Sequence, residues 1–218
     1  MDFTLALYRF SGWSQDILLV ILCWMMLKRN WYWKQHKFFF LIYAVSSTIF
    51  EIIYAITALT ISNNLFLDYA YTACEFIILS FFLKGVIKQK LINYFVYGAC
   101  VLFSMFSLFN AFWGQGYENY NSYGVLISNL YLTFLSGLSL FILAKRNINK
   151  RLFSLPESWL VLGILLIYNS IIIFDYIYGL AVPYQNDVIL YMVLILQNFL
   201  KSFFLLFFIK GISILKVD

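Results

Sequence analysis

The sequence contains few of the residues that catalytic and metal sites require. It has one histidine, His36, which lies in a basic segment, and three cysteines with no CxxC spacing. A histidine-cluster metal site is therefore excluded, as is a histidine base for a nucleophile inside an apolar segment. The chain also lacks the glycine patterns of P-loop and Rossmann nucleotide sites. We expect no metal site, no catalytic group and no cofactor, and an enzyme is not favoured.

Charged residues are also scarce. They make up 11% of the chain, whereas 63% of the residues are hydrophobic, and soluble domains contain roughly 25% charged residues. The apolar residues form continuous runs, about twice as long as the strands of a membrane barrel. They predict an all-α polytopic membrane protein, a seven-transmembrane-helix bundle that forms one domain over residues 1–218. The predicted helices cover roughly residues 10–29, 38–60, 65–83, 91–113, 123–144, 157–181 and 188–209.

The basic residues cluster in alternate connections between these helices. Of 15 Lys and Arg residues, 13 lie in three such connections or in the tail, and the other three connections carry Asp68, Glu118 and Asp187. Cytoplasmic loops of membrane proteins are enriched in Lys and Arg. The pattern predicts an outside N-terminus and a cytoplasmic C-terminus. The net charge of +5 then faces anionic lipid headgroups, and no nucleic-acid partner is needed to explain it.

Two charged residues within the apolar runs predict a central ion pair. Glu75 lies nine positions before Lys84, and Lys201 lies nine positions before Lys210. With a rise of 1.5 Å per residue, each lies about 13 Å from the cytoplasmic end of its helix. A charge at that depth costs several kcal/mol unless it has a partner. We therefore expect Glu75 of the third helix to face Lys201 of the seventh.

Other polar residues lie nearer the outer side of the predicted bundle and share helical faces. Ser47, Glu51 and Tyr54, for example, recur at spacings that place them on one face. If such faces converge, they form an outward-facing ligand pocket. Its candidate residues are Glu51, Tyr54, Asn129, Tyr168, Asp175 and Gln197. The alternative is structural, because membrane helices also use Ser, Thr, Asn and Gln to pack against one another.

Two resemblances bear on these residues. Residues 64–84 (NLFLDYAYTACEFIILSFFLK) resemble a segment of small seven-helix membrane proteins of unassigned function in Bacteroidota-type bacteria. This resemblance implies a bacterial inner (plasma) membrane but no activity. The layout, with Lys201 in the seventh helix and Glu75 in the third, also resembles the microbial rhodopsins. That resemblance implies retinal on Lys201 as a Schiff base with Glu75 as counter-ion, although Gln197 stands where those proteins usually carry an acid.

The pattern as a whole favours a receptor-like or sensory membrane protein. Such a protein would bind a small ligand in the outward-facing polar pocket and act through a separate cytoplasmic or membrane partner, since the short loops leave no room for an output domain. A small-solute or proton-coupled transporter is one alternative, because such carriers often bury acids and a lysine. An accessory or scaffold subunit, with charges paired across an interface, is another. All three interpretations place the chain in a lipid bilayer.

Overall fold

Seven α-helices make up the protein, as seen in a computed structural model that describes residues 2–28, 37–60, 64–148, 151–181 and 187–214. A short 3-10 turn, Leu152–Ser154, precedes the sixth helix. The prediction of an all-helical chain is confirmed within these ranges. The helices are α1 (Asp2–Lys28), α2 (Lys37–Thr60), α3 (Phe66–Ile87), α4 (Lys90–Phe112), α5 (Ser122–Arg146), α6 (Pro156–Ala181) and α7 (Asp187–Ser213).

Each of the seven helices contains a segment long and apolar enough to cross a membrane. Large apolar side chains cover the outside of the bundle, among them Leu91, Val101 and Phe134. A helix satisfies its backbone hydrogen bonds internally, so lipid can replace water around it. The chain is therefore an integral membrane protein.

The first helix is longer than its apolar run predicts, because it begins at Asp2 rather than near residue 10. Its polar residues pack against α7. The hydroxyls of Ser14 and Ser202 are 2.9 Å apart, and the Asn198 amide donates to the Ser11 hydroxyl at 3.2 Å. These contacts give the polar half of α1 hydrogen-bond partners inside the bundle. Residue 29, its predicted end, and His36 lie outside the described residues.

Two other helices extend about a turn beyond their predicted ends. The third helix ends at Ile87 and the seventh at Ser213, and each has a lysine in its last turn, Lys84 and Lys210 respectively. A cation in the last turn is stabilised by the negative end of the helix dipole. Lys84 and Lys210 therefore mark the ends of the apolar segments, but both helices continue beyond them.

Six helices form a closed ring in the order α1, α2, α3, α5, α6, α7, and α7 returns to contact α1. The remaining helix, α4, packs outside the ring against α3 and, less extensively, α5. In this order α3 lies opposite α7, and α2 lies opposite α6. We call the end of the bundle that carries the α2–α3, α4–α5 and α6–α7 connections the acidic end, and the other the basic end.

Aromatic side chains fill the half of the ring that lies nearer the basic end. Phe40 of α2 packs against Phe82 of α3 and Phe208 of α7, with ring centres 5.1 and 5.0 Å apart. We call these three fully buried residues the aromatic plug. The plug depends on Gly163 of α6, because a Cβ atom there would lie only 2.3 Å from the Phe208 ring.

An ion pair braces the basic end. The Lys37 ammonium group, at the start of α2, lies 3.4 Å from the Glu157 carboxylate, at the start of α6. Both side chains are largely buried, and they connect helices on opposite sides of the ring. The plug and this ion pair both lie across the interior of the ring at the basic end.

Candidate ligand-binding cavity

A cavity of about 290 Å³ lies inside the ring, between the acidic end and the aromatic plug. Its volume is near the lower end of the range of about 300–1,000 Å³ that is common for small-molecule sites. The described lining includes no residue of α4. The lining residues are Gln15, Leu19, Tyr43, Ser47, Glu51, Tyr54, Asp68, Tyr71, Thr72, Glu75, Tyr120, Val125, Ser128, Asn129, Ile167, Ile171, Asp175, Gln197, Lys201 and Leu205.

The cavity extends from the surface at the acidic end to the plug. Tyr120, in the α4–α5 connection, lines it and is 41% exposed, so the mouth lies beside this residue. At the other extreme it is lined by Tyr43, whose ring centre is 6.4 Å from that of Phe208 in the plug. Tyr43 therefore marks the floor.

A polar stripe on α3 runs from the mouth towards the floor. Asp68, Thr72 and Glu75 lie on one helical face, and all three line the cavity. The Tyr54 hydroxyl of α2 donates to Asp68, and the Tyr71 hydroxyl donates to Glu75 at 2.8 Å. Seven residues separate the two acids, which places them about 10 Å apart along the helix. The stripe thus presents one carboxyl group near the mouth and another near the floor.

Two further carboxyl groups line the cavity from opposite sides of the ring, Glu51 from α2 and Asp175 from α6. The Gln15 amide of α1 donates to Glu51 at 3.4 Å. Asp16 lies close enough to Glu51 for the two ionised groups to repel each other. Lys201 lies close enough to Glu51 and Asp175 to attract the ionised form of each. Both acids therefore belong to the electrostatic environment of one lysine.

Glu75 and Lys201, the predicted ion pair, lie on opposite helices of the ring and both line the cavity. Their charges interact, yet within the described part of the chain the two side chains are not in direct contact; the ion pair in contact there joins Lys37 and Glu157. Lys201 is thus shared among the acids rather than dedicated to Glu75. Its contribution to stability stays a prediction.

Two buried polar side chains of the lining, Ser47 and Asn129, each have an atom without a hydrogen-bond partner among the described residues. Asn129 of α5 is only 3% exposed and lines the cavity, and its side-chain nitrogen has no hydrogen-bond partner among the described residues. An unpaired buried amide costs about 1–3 kcal/mol. The nitrogen has almost no accessible surface of its own, so a molecule in the cavity would accept a hydrogen bond from it, and remove this cost, once the amide turns towards the cavity.

The cavity contains most of the residues that the sequence suggested for a pocket. Five of the six candidates line it: Glu51, Tyr54, Asn129, Asp175 and Gln197. The sixth, Tyr168, is 1% exposed and is not among the lining residues. Its hydroxyl lies near Glu75 but has no hydrogen-bond partner among the described residues, and its contact with a ligand stays a prediction.

Sequence reasoning missed several lining residues, including Tyr43, Tyr71 and Ser128. Helical spacing contained a signal for the two tyrosines, because Tyr71 lies four residues before Glu75 and Tyr43 four before Ser47. That signal was weak, since aromatic residues make up 22% of the chain and most serve as packing. Helical spacing contained no comparable signal for Ser128, because it is adjacent to Asn129 in the sequence and lies about 100° away from it around the helix.

Fold and cavity together define the class: an all-helical integral membrane protein with a polar cavity inside a ring of six helices. Comparison of the chain with protein-family models, with curated proteins and with solved structures gave no match. The function is therefore argued from the cavity itself.

Proposed function

We propose that the protein is receptor-like: it binds a small polar molecule in the cavity and acts through a separate partner. The observation that carries this proposal is the shape of the interior. The cavity has a mouth at the acidic end and a floor above the aromatic plug. A cavity that, among the described residues, reaches the surface at one end and meets the plug at the other suits binding and release from one side of the membrane.

The polar lining argues against a purely accessory role. Membrane helices that only pack together bring their polar groups into contact with one another. Here four carboxylic acids, Asp68, Glu51, Glu75 and Asp175, line a cavity, and within the described ranges only two of them also accept a hydrogen bond from a neighbouring helix. Ionisable groups inside an apolar bundle cost free energy. Binding of a ligand would explain why the cavity contains four of them.

The distribution of basic residues orients the site. The proposal places the acidic end outside and the basic end in the cytoplasm of a bacterium, with the chain in the inner membrane. The ligand then enters from outside, past Tyr120. The signalling partner meets the basic end, where Lys88 and Arg151 are exposed.

A matched pair of cysteine variants tests access to the cavity. Ser128 lines the cavity, whereas Ser139 lies on the same helix, fully buried and outside the described lining. Eleven residues of helix place Ser139 about 16 Å deeper. In a background with the native cysteines replaced, a membrane-impermeant charged thiol reagent added outside should modify Ser128→Cys and leave Ser139→Cys unmodified. Mass spectrometry of intact protein measures both.

Each outcome separates the candidate functions. An unmodified Ser128→Cys would contradict a ligand cavity open to the outside and favour the accessory role.

The transporter alternative has its own support, because carboxyl groups at several depths (Asp68, Glu51 and Glu75) form a path for protons or cations. A carrier alternates its access, so modification of Ser139→Cys from either side of the membrane would favour transport over the receptor-like role.

A further inference from the structure

We infer that the ligand is a small organic cation, with an ammonium group and an oxygen atom that accepts hydrogen bonds. This inference rests on the proposed function, since it names the chemical class of molecule that the same cavity takes. Three observations carry it: the imbalance of charge, the spacing of the acids, and the unpaired amide of Asn129.

Acids outnumber bases in the cavity. Its described lining contains four carboxyl groups and one basic side chain, Lys201. The charge of Lys201 acts on Glu51, Glu75 and Asp175. Asp68 is instead hydrogen-bonded by the Tyr54 hydroxyl, a neutral donor. Burial in an apolar bundle disfavours the ionised form of an acid. A bound cation would offset that cost, whereas an anion would add to it.

The acids are spread along the cavity rather than gathered at one point. Asp68 and Glu75 lie about 10 Å apart along α3. A monatomic ion contacts oxygen ligands at about 2–2.6 Å and cannot reach both. A molecule with a short carbon chain can place an ammonium group beside one acid while the rest of it occupies the cavity.

The amide of Asn129 adds a second requirement. Its buried nitrogen is a donor without a partner among the described residues, and an ammonium group has no lone pair to offer it. A hydroxyl or carbonyl oxygen on the ligand would satisfy it once the amide turns towards the cavity. The cavity therefore suits a molecule with both groups, such as an amino alcohol.

Three probes with the same four-carbon skeleton and one common hydroxyl test this directly: 4-amino-1-butanol, 1,4-butanediol and 4-hydroxybutyrate. They differ only in the second end, which is cationic, neutral or anionic. With the full chain in lipid nanodiscs, we expect the amino alcohol to raise the melting temperature and bind saturably, and the diol and the acid to bind at least tenfold more weakly.

Variants assign any binding to the cavity. Asp68→Asn and Glu51→Gln should each weaken binding of the amino alcohol about tenfold, as expected for one lost charged contact. Glu118→Gln removes a carboxyl group at the acidic end but outside the described lining and should change nothing. Lys201→Met should strengthen binding, because it removes the competing cation, and a misfolded variant cannot produce such a gain.

The results that would contradict this inference differ from those that would contradict the proposed function. Stronger binding of 4-hydroxybutyrate or of the diol would overturn the cationic class and keep a ligand cavity. If none of the three probes binds while Ser128→Cys is modified from outside, the ammonium class is again wrong but the open cavity stands. Binding that Asp68→Asn, Glu51→Gln and Lys201→Met all leave unchanged would place the amine elsewhere and overturn the inference.

Discussion

Lys201 is the one basic side chain in the described lining of the cavity, and its environment differs from that of an ordinary buried ion pair. Glu51, Glu75 and Asp175 all lie within reach of its field. No single one of them is its dedicated partner. Loss of the lysine would therefore leave three acids to repel one another, while space in the cavity allows water to moderate that repulsion.

Lys201→Met should consequently lower the free energy of unfolding by about 1–3 kcal/mol, the cost of leaving a buried polar group without a partner, since none of the acids is its sole partner. This is less than the 3–5 kcal/mol that is lost when one member of a contacting buried pair is removed. Equilibrium unfolding in detergent micelles, followed by the loss of helical circular dichroism, measures the change.

The compensating change at Glu75 provides the control. Glu75→Gln removes one of the acids that Lys201 attracts, so the double variant should recover part of the loss. A Lys201→Met variant as stable as the parent would show that Lys201 does not balance these acids. Full recovery in the double variant would show instead that Glu75 is its dedicated partner, contrary to the shared arrangement.

At the scale of the helices, α7 combines two polar faces. Gln197 and Lys201 face the cavity, whereas Asn198 and Ser202 hydrogen-bond to α1. One face serves the site and the other holds the ring closed. Helical spacing cannot separate the two, because residues one position apart lie only about 100° apart around a helix.

Close packing of α6 against α7 depends on a glycine. Gly163→Ala would place a methyl group against the Phe208 ring, because a Cβ atom at that position would lie 2.3 Å from it. Overpacking of this kind typically costs about 1–3 kcal/mol. We expect a lower melting temperature and, since Phe208 belongs to the plug, a disturbed cavity floor. Differential scanning calorimetry of the purified protein measures the first effect.

Gly137→Ala in α5 is the matched control. A Cβ atom there would meet Leu165 at 4.0 Å, an ordinary contact. Alanine is also the better helix former by about 1 kcal/mol. Stability should therefore stay unchanged or rise slightly. If Gly163→Ala behaves in the same way, Phe208 does not pack against α6 as described.

For the whole molecule, the alternation of basic and acidic connections predicts which compartment each end of the bundle faces. Reporter tags that are active in only one compartment, placed near residue 118 and at residue 218, should report the outside and the cytoplasm respectively. Alkaline phosphatase and green fluorescent protein fusions in bacteria are suitable. Reports from the same side would contradict the orientation, and with it the entry of ligand past Tyr120.

Much of the architecture was predictable at this scale, and part of the site was too. Long apolar runs fix the helices because lipid tolerates little else. Helical faces brought Glu51 and Tyr54 together, as they did Asp68 and Glu75, because residues three, four and seven apart share a face. The position of Tyr168 outside the described lining was not predictable, since a residue that lines a cavity and one just behind the lining can have the same helical spacing.

For the described residues, the sequence by itself determined the number of helices, their apolar nature and the position of each ionisable group along its helix, because these follow from composition and from a fixed rise per residue. Only the tertiary structure decided the order of helices around the ring, the exclusion of α4 from the described cavity lining, and the gap between Glu75 and Lys201. Those features depend on how side chains of different helices fit together, as Phe208 fits against Gly163. The spacing of residues within a single helix cannot predict how side chains of different helices fit together.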